Sequence, residues 1–116
     1  MKSDVQPGSD VQPGSGSVGV KPVAVRNFPA ILRGWYLFNP NAVTVYLQFF
    51  DTARDGDVIP GSSPPFFSLG IPAGAGANAL EARVCDFLRG IVIVCTTTRA
   101  GNVAPALPID YNLFFE

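Results

Sequence analysis

The chain contains no histidine. That removes Ser-His-Asp and Cys-His catalysis, imidazole-ligated zinc, and the side chain best matched to acid–base work near neutral pH. With those routes closed, the expectation is a protein that is not an enzyme. Charge is also scarce. Charged residues make up 15% of the chain, eight basic and nine acidic for a net −1, against about 25% in an average domain. They stand singly, so no basic stripe awaits nucleic-acid phosphates and no polybasic run awaits a membrane surface. The strongest apolar run, Ile91 to Cys95, is far too short to cross a bilayer. The opening "MKSDVQPG" lacks the apolar stretch of a secretory signal. Cys85 and Cys95 are the only cysteines. Free buried thiols in a protein made in the cytosol are expected, with a cross-strand disulfide as the alternative.

What the chain does have is core material: 47% hydrophobic residues, including nine Phe, three Tyr and one Trp. At 116 residues it forms one domain and can bury roughly two-thirds of its unfolded surface. A chain so rich in apolar residues and so poor in charge has little with which to cover itself. Some apolar surface is therefore expected to meet a partner, because an assembly subunit needs no solvated skin where it touches its neighbours.

Ser3 to Ser17 reads "SDVQPGSDVQPGSGS", a hexapeptide written twice. Residues 1–17 hold no aromatic side chain and two Val, with Pro, Gly and Ser content that resists a packed core. Two copies are too few to stack as a solenoid. The expectation is a flexible arm over 1–17 ahead of a β domain over 18–116. Seventeen extended residues reach about 55 Å, enough to cross a neighbouring subunit. Val5 and Gln6 recur as Val11 and Gln12 in identical contexts, and these four are the candidate partner-binding residues.

From Val18 the pattern becomes that of strands. "VGVKPVAVRNF" is interrupted by Pro22, which suits an edge strand. "ILRGWYLFN" is aromatic and branched, and stops at the turn signal Asn39-Pro40-Asn41. "AVTVYLQFF" sets Val43, Val45, Leu47 and Phe49 on one face and Thr44, Tyr46, Gln48 and Phe50 on the other. Asp55-Gly56 reads as a turn in a loop. "FFSLGIP" is a short strand, followed by the loop "AGAGANA". "GIVIVCTTT" is apolar on both faces and is expected to be central. "IDYNLFFE" alternates as a closing strand. Short strands between Pro/Gly loops predict an all-β antiparallel sandwich, jelly-roll or Ig-like.

"NALEARVCDFLRG" is ambiguous. Asn78 and Glu81 form a capping-box-like pair, Leu80, Val84, Phe87 and Leu88 recur at helical spacing, and Gly90 stands at the C′ position. Periodicity favours a helix there. With a helix, Gly74, Gly76 and Ala79 match G-x-G-x-x-A, and Arg99 near the next strand's end could meet a 2′-phosphate. That reading is weak: glycines are easily matched in an Ala/Gly run, and no further βα units follow, so no cofactor is expected. Asp51, Asp55, Gly56 and Asp57 fit four positions of a calcium loop. Ala53 and Ser62 stand where ligands belong, so no metal is expected either. Ser62, Ser63 and Thr96 to Thr98 have no visible base to activate them. Trp35, Tyr36 and Phe38 read first as core and second as a sugar-stacking group.

Two stretches, "GWYLFNPNAVTVYLQFFDTA" and "PPFFSLGIPAGAGANALEARVCDFLRGIVIVCTTTRAGNVAP", resemble a family of small proteins from tailed-bacteriophage genomes and prophages. The shared pattern is an N-P-N-like turn, a strand ending QFFD, a PP loop, an IPAG segment, and F-x-x-G-I leading into a Thr-rich strand. It covers about residues 34–105 and marks no catalytic site. The resemblance implies a virion structural protein built as a β-sandwich, and an extended segment from Glu81 to Phe87. On that basis the expected function is a capsid decoration, or cement, protein. It would be located on the virion, trimerise on the head, and bind the major capsid protein or another virion protein, with no nucleic-acid or membrane partner. A tail, neck or head-fibre component and a carbohydrate-binding host-attachment module are the alternatives. The arm lies outside the shared pattern.

Overall fold

The computed structural model describes residues 12–116. Eight strands alternate with loops: β1 (Gln12–Val18), β2 (Val23–Arg26), β3 (Ala30–Phe38), β4 (Val45–Asp51), β5 (Phe67–Ile71), β6 (Gly76–Phe87), β7 (Ile91–Thr96) and β8 (Ile109–Phe115). A single 3-10 turn, Asp55–Asp57, falls at the expected Asp-Gly turn. The strands form two four-stranded sheets, in the orders β1-β8-β3-β6 and β2-β7-β4-β5. All pairings are antiparallel. The pairs β1–β8, β2–β7, β3–β6 and β4–β5 are nested, first with last and inward. A long antiparallel ribbon folded over on itself gives this order, which is the jelly-roll form of the sandwich. Of the two sandwich types expected, the strand order selects this one.

The core lies between the sheets. Leu32, Leu37, Leu113 and Phe115 from the first sheet meet Val45, Leu47, Phe49, Ile93 and Cys95 from the second. Alternation in β4 puts Val45, Leu47 and Phe49 inward, as read from the sequence, while Val43 lies outside the strand and is exposed. Phe49 stacks on Phe67 with ring centroids 4.4 Å apart. Phe87 joins them from the other sheet. Truncating one such buried ring costs about 3–5 kcal/mol.

All six residues of β7 are buried, as its two-sided apolar sequence predicts for a central strand. What covers its outer face is the chain itself: Phe50, Val92 and Val94 pack with Val58 from the β4–β5 loop and with Val20. Apolar residues on both faces of β4 and β7 are thus satisfied internally, without a partner.

Two segments differ from the reading by periodicity and composition. The segment 78–89, helical by periodicity, is extended, as the resemblance implied for Glu81 to Phe87: β6 runs from Gly76 to Phe87. Leu80 and Val84 do not share a helix face. Residues 81–84 form a bulge opposite Arg33, between the pairs Gly34–Leu80 and Leu32–Cys85. The bulge displaces the alternation and so imitates a longer period. Gly74, at φ +62°, belongs to the tight turn before β6 rather than to a phosphate loop, and the antiparallel β5, β6 and β7 offer no βαβ unit. The second difference is at the arm. Gln12 to Ser17, assigned to the arm by composition, form most of β1 and pair with β8 from Gln12–Phe115 to Val18–Ile109. Glycine makes this possible: a Cβ on Gly14 would come within 2.7 Å of Val25 Cγ1, and one on Gly16 within 3.1 Å of the Tyr111 hydroxyl.

Candidate functional site

The polar residues that stood out in the sequence act on the fold itself. Asn39 and Asn41 of the N-P-N turn are buried. Asn39 Nδ2 lies within donating distance of the carbonyls of Val43 (2.9 Å), Ile71 (3.0 Å) and Pro72 (3.1 Å). Its Oδ1 accepts from the Asn41 backbone N–H (2.8 Å) and side chain (2.9 Å). Asn41 in turn exchanges two hydrogen bonds with the backbone of Leu107. Two side chains thereby lock the β3–β4, β5–β6 and β7–β8 connections at one end of the sandwich.

A second clamp works at the other end. The Asp51 carboxylate accepts from the backbone N–H groups of Leu88 (3.1 Å) and Arg89 (2.9 Å) in the β6–β7 turn. Gly90 follows there because a Cβ would come within 2.5 Å of the Arg26 carbonyl and 2.7 Å of the Thr52 carbonyl. The D of QFFD and the G of F-x-x-G-I are therefore parts of one contact. The calcium-like set is dispersed by the same contact: Asp51 faces this turn, while Asp57 is bound by Arg54 and Thr52, which hold its carboxyl below the usual range. Among the described residues, no group of three His, Cys, Asp or Glu side chains is placed to hold a metal ion. Gln48 is buried and donates to Thr96 Oγ1 (2.6 Å) and to the Gly101 carbonyl (3.2 Å). The first threonine of the Thr-rich strand end thus serves packing. Both cysteines are free thiols. Burial pushes the Cys95 thiol up to about 12.

Ten large apolar side chains are exposed among the described residues; apart from Val43, Ile59, Val103 and Leu107 in other loops, they fall in two places. The first is the end of the sandwich carrying the Asp51 clamp. Phe28 (49% exposed), Phe66 (50%) and Leu88 (74%) stand there. Phe66 packs edge-on against Phe87 at 5.3 Å. Pro29, Phe87, Leu88 and Glu116 line a shallow cleft. The Arg26 guanidinium stacks on Phe28 at 4.0 Å and reaches Phe115 at 5.2 Å. Gln12, the partner of Phe115 in register, brings the N-terminal chain into the sandwich at this same end. The second place is the outer face of the first sheet, where Tyr36, Phe38 and Leu80 project. No loop residue joins them in a buried cluster, in contrast to the outer face of the second sheet.

Of the four candidate partner-binding residues, Val5, Gln6 and Val11 lie outside the described residues, and Gln12 opens β1. Trp35 is half-buried and turned to the core, with its ring 6.4 Å from Phe49. Tyr36 projects outward and is 48% exposed. Phe28, Phe66 and Leu88 were not singled out from sequence. A signal existed for two of them: Phe28-Pro29 and Pro65-Phe66 each set an aromatic beside proline in a loop, where a buried role is hard to meet. Comparison of the chain with protein-family models, with curated proteins and with solved structures finds no match.

Proposed function

We propose that this chain is a bacteriophage virion structural protein, a decoration or cement protein that docks on the head through the end of the sandwich where its N-terminal arm enters. The supporting observation is the coincidence of Phe28, Phe66 and Leu88 with the entry point of β1. An apolar end fused to a Pro/Gly/Ser arm makes a two-part anchor. The end supplies buried area, and the arm raises effective concentration by adding a second contact. Asn39, Asn41, Gln48 and Asp51 bind the domain's own backbone, which fits a mechanical role. Jelly-roll sandwiches occur in viral capsid and lectin domains. The fold alone does not choose between them; the resemblance over residues 34–105 points to the virion. In this reading the protein binds the major capsid protein or another virion protein, as a trimer on the head, and its Val5, Gln6, Val11 and Gln12 repeat contacts the neighbouring subunit.

The test is co-sedimentation with particles that lack the protein, comparing the parent with the pair Phe66→Ser and Leu88→Asp. Losing two buried apolar side chains at about 1.5–3 kcal/mol each weakens binding by at least about a hundredfold. Phe66 also packs on Phe87 and Leu88 adjoins the Asp51 carboxylate, so a thermal melt of the paired variant is run beside the binding assay to show that it stays folded. Undiminished binding by the paired variant would sink this reading. Recovery of the chain in a ring of six or twelve would move it to the tail or neck.

A further inference from the structure

We propose that the outer face of the first sheet is a binding platform for a neutral saccharide, with the Tyr36 ring as its stacking surface. The proposal is independent of virion docking, which uses the end of the sandwich. One row across all four strands carries it. Ser15 pairs with Asn112, Asn112 with Tyr36, and Tyr36 with Asn78. Residues directly opposite in an antiparallel sheet share a face, so a hydroxyl, an amide, an aromatic ring and a second amide stand side by side.

The row is uncharged and ordered. Ser15 Oγ donates to Asn112 Oδ1 at 2.7 Å. Phe114 meets the Tyr36 ring edge-on, with centroids 5.1 Å apart and planes at 77°, so the ring is oriented before anything binds and little rotamer entropy is left to lose. The exposed Asn78 amide has no hydrogen-bond partner among the described residues. Phe38, also exposed, extends the apolar surface along β3.

A pyranose suits this arrangement. Its C–H faces are apolar and pack on an aromatic ring, while its hydroxyls both donate and accept, as amides and the serine hydroxyl do. Other occupants fit less well. Nucleic acid needs cations at its phosphates, and the row has none. An apolar protein surface would leave the exposed Asn78 amide desolvated without a partner. A sulfated or acidic glycan would lack a counter-charge in the row.

The experiment is a backbone-amide NMR titration of the full chain with neutral gluco-, manno- and N-acetylglucosamine hexasaccharides, and with a sulfated oligosaccharide as control. At least one neutral sugar should produce saturable shifts at Ser15, Tyr36, Asn78 and Asn112. Tyr36→Ala should weaken that binding by about tenfold or more, Tyr36→Phe should keep most of it, and Asn78→Ala should weaken it without touching the ring. The proposal is overturned if no neutral sugar moves these amides at concentrations of about 20 mM, where a binding free energy of only a few kcal/mol still registers. It is equally overturned if both alanine variants bind as the parent does, or if the same amides shift with protein concentration alone, which would assign the face to a second copy of the chain.

Discussion

Replacing Asn39 with alanine should be among the most damaging single substitutions outside the hydrophobic core. Asn39 is 0% exposed. Three of its contacts are fully buried: the donation to the Ile71 carbonyl and the two acceptances from Asn41. The donations to Val43 and Pro72 are only partly buried, and water can replace them. Each buried group left without a partner costs about 1–3 kcal/mol. Allowing for some relaxation, the substitution should remove about 3–4 kcal/mol. Domains of this size hold about 5–15 kcal/mol in total, so the loss is a large share, and the midpoint should fall by about 10–20 °C. Urea unfolding followed by Trp35 fluorescence would measure it, with an unchanged m-value showing that the two-state reference is intact. Asn39→Asp gives a sharper variant, since it keeps the acceptor for Asn41 but turns a carboxylate toward the Ile71 and Pro72 carbonyls. It should be no better than alanine. The double variant with Asn41→Ala should lose less than the sum of the two, because the residues share one network. A loss under about 1 kcal/mol for Asn39→Ala would refute the clamp, since even one unsatisfied buried group costs that much.

Gly90→Ala should destabilise the domain by at least about 3 kcal/mol, because its Cβ meets two backbone carbonyls that cannot rotate away; chemical denaturation reads this directly. Deleting residues 1–18 should destabilise the sandwich, whereas deleting residues 2–11 should leave it folded, because Val18 is 2% exposed and β1 covers the edge of β8; thermal melts of the two truncations check it. Burial holds the Cys95 thiol neutral, from an ordinary value of 9.0 up to about 12. The folded-state value lies above the unfolded one, so the associated stability is fully present below about pH 9 and is lost as pH rises toward 12. Cys95→Val should flatten that part of the stability profile, and Cys95 should resist thiol reagents until the protein unfolds.

Much of the second sheet was legible in the sequence. β4 shows its alternation openly, and β7 announces a central strand by being apolar on both faces. The cover over β7 was not legible, since Val20 and Val58 lie in loops whose return path no local pattern fixes. β6 misled because its bulge opposite Arg33 places Leu80, Val84 and Leu88 at helical spacing along an extended chain. β1 was hidden for the opposite reason. Gly14 and Gly16 carry no strand signal of their own, and only the proximity of Val25 and Tyr111 explains why glycine is needed there. The Asn-Pro-Asn turn was visible as a turn, but its partner Leu107 lies 66 residues away in sequence. The exposed surfaces were the least legible. Composition indicated that apolar surface would be left over, yet which aromatics project was decided by the sheet pairing. Trp35 goes to the core and Tyr36, its neighbour, to the outside.

The central claim is that the arm-bearing end of the sandwich holds this chain on a virion. Its most direct test is the bound stoichiometry of the full chain on particles that lack it, with and without residues 2–11. The account predicts saturable binding in numbers matching the three-fold positions of the shell, weakened when the repeat is removed. Absence of binding, or binding with no saturation and no dependence on the repeat, would contradict it.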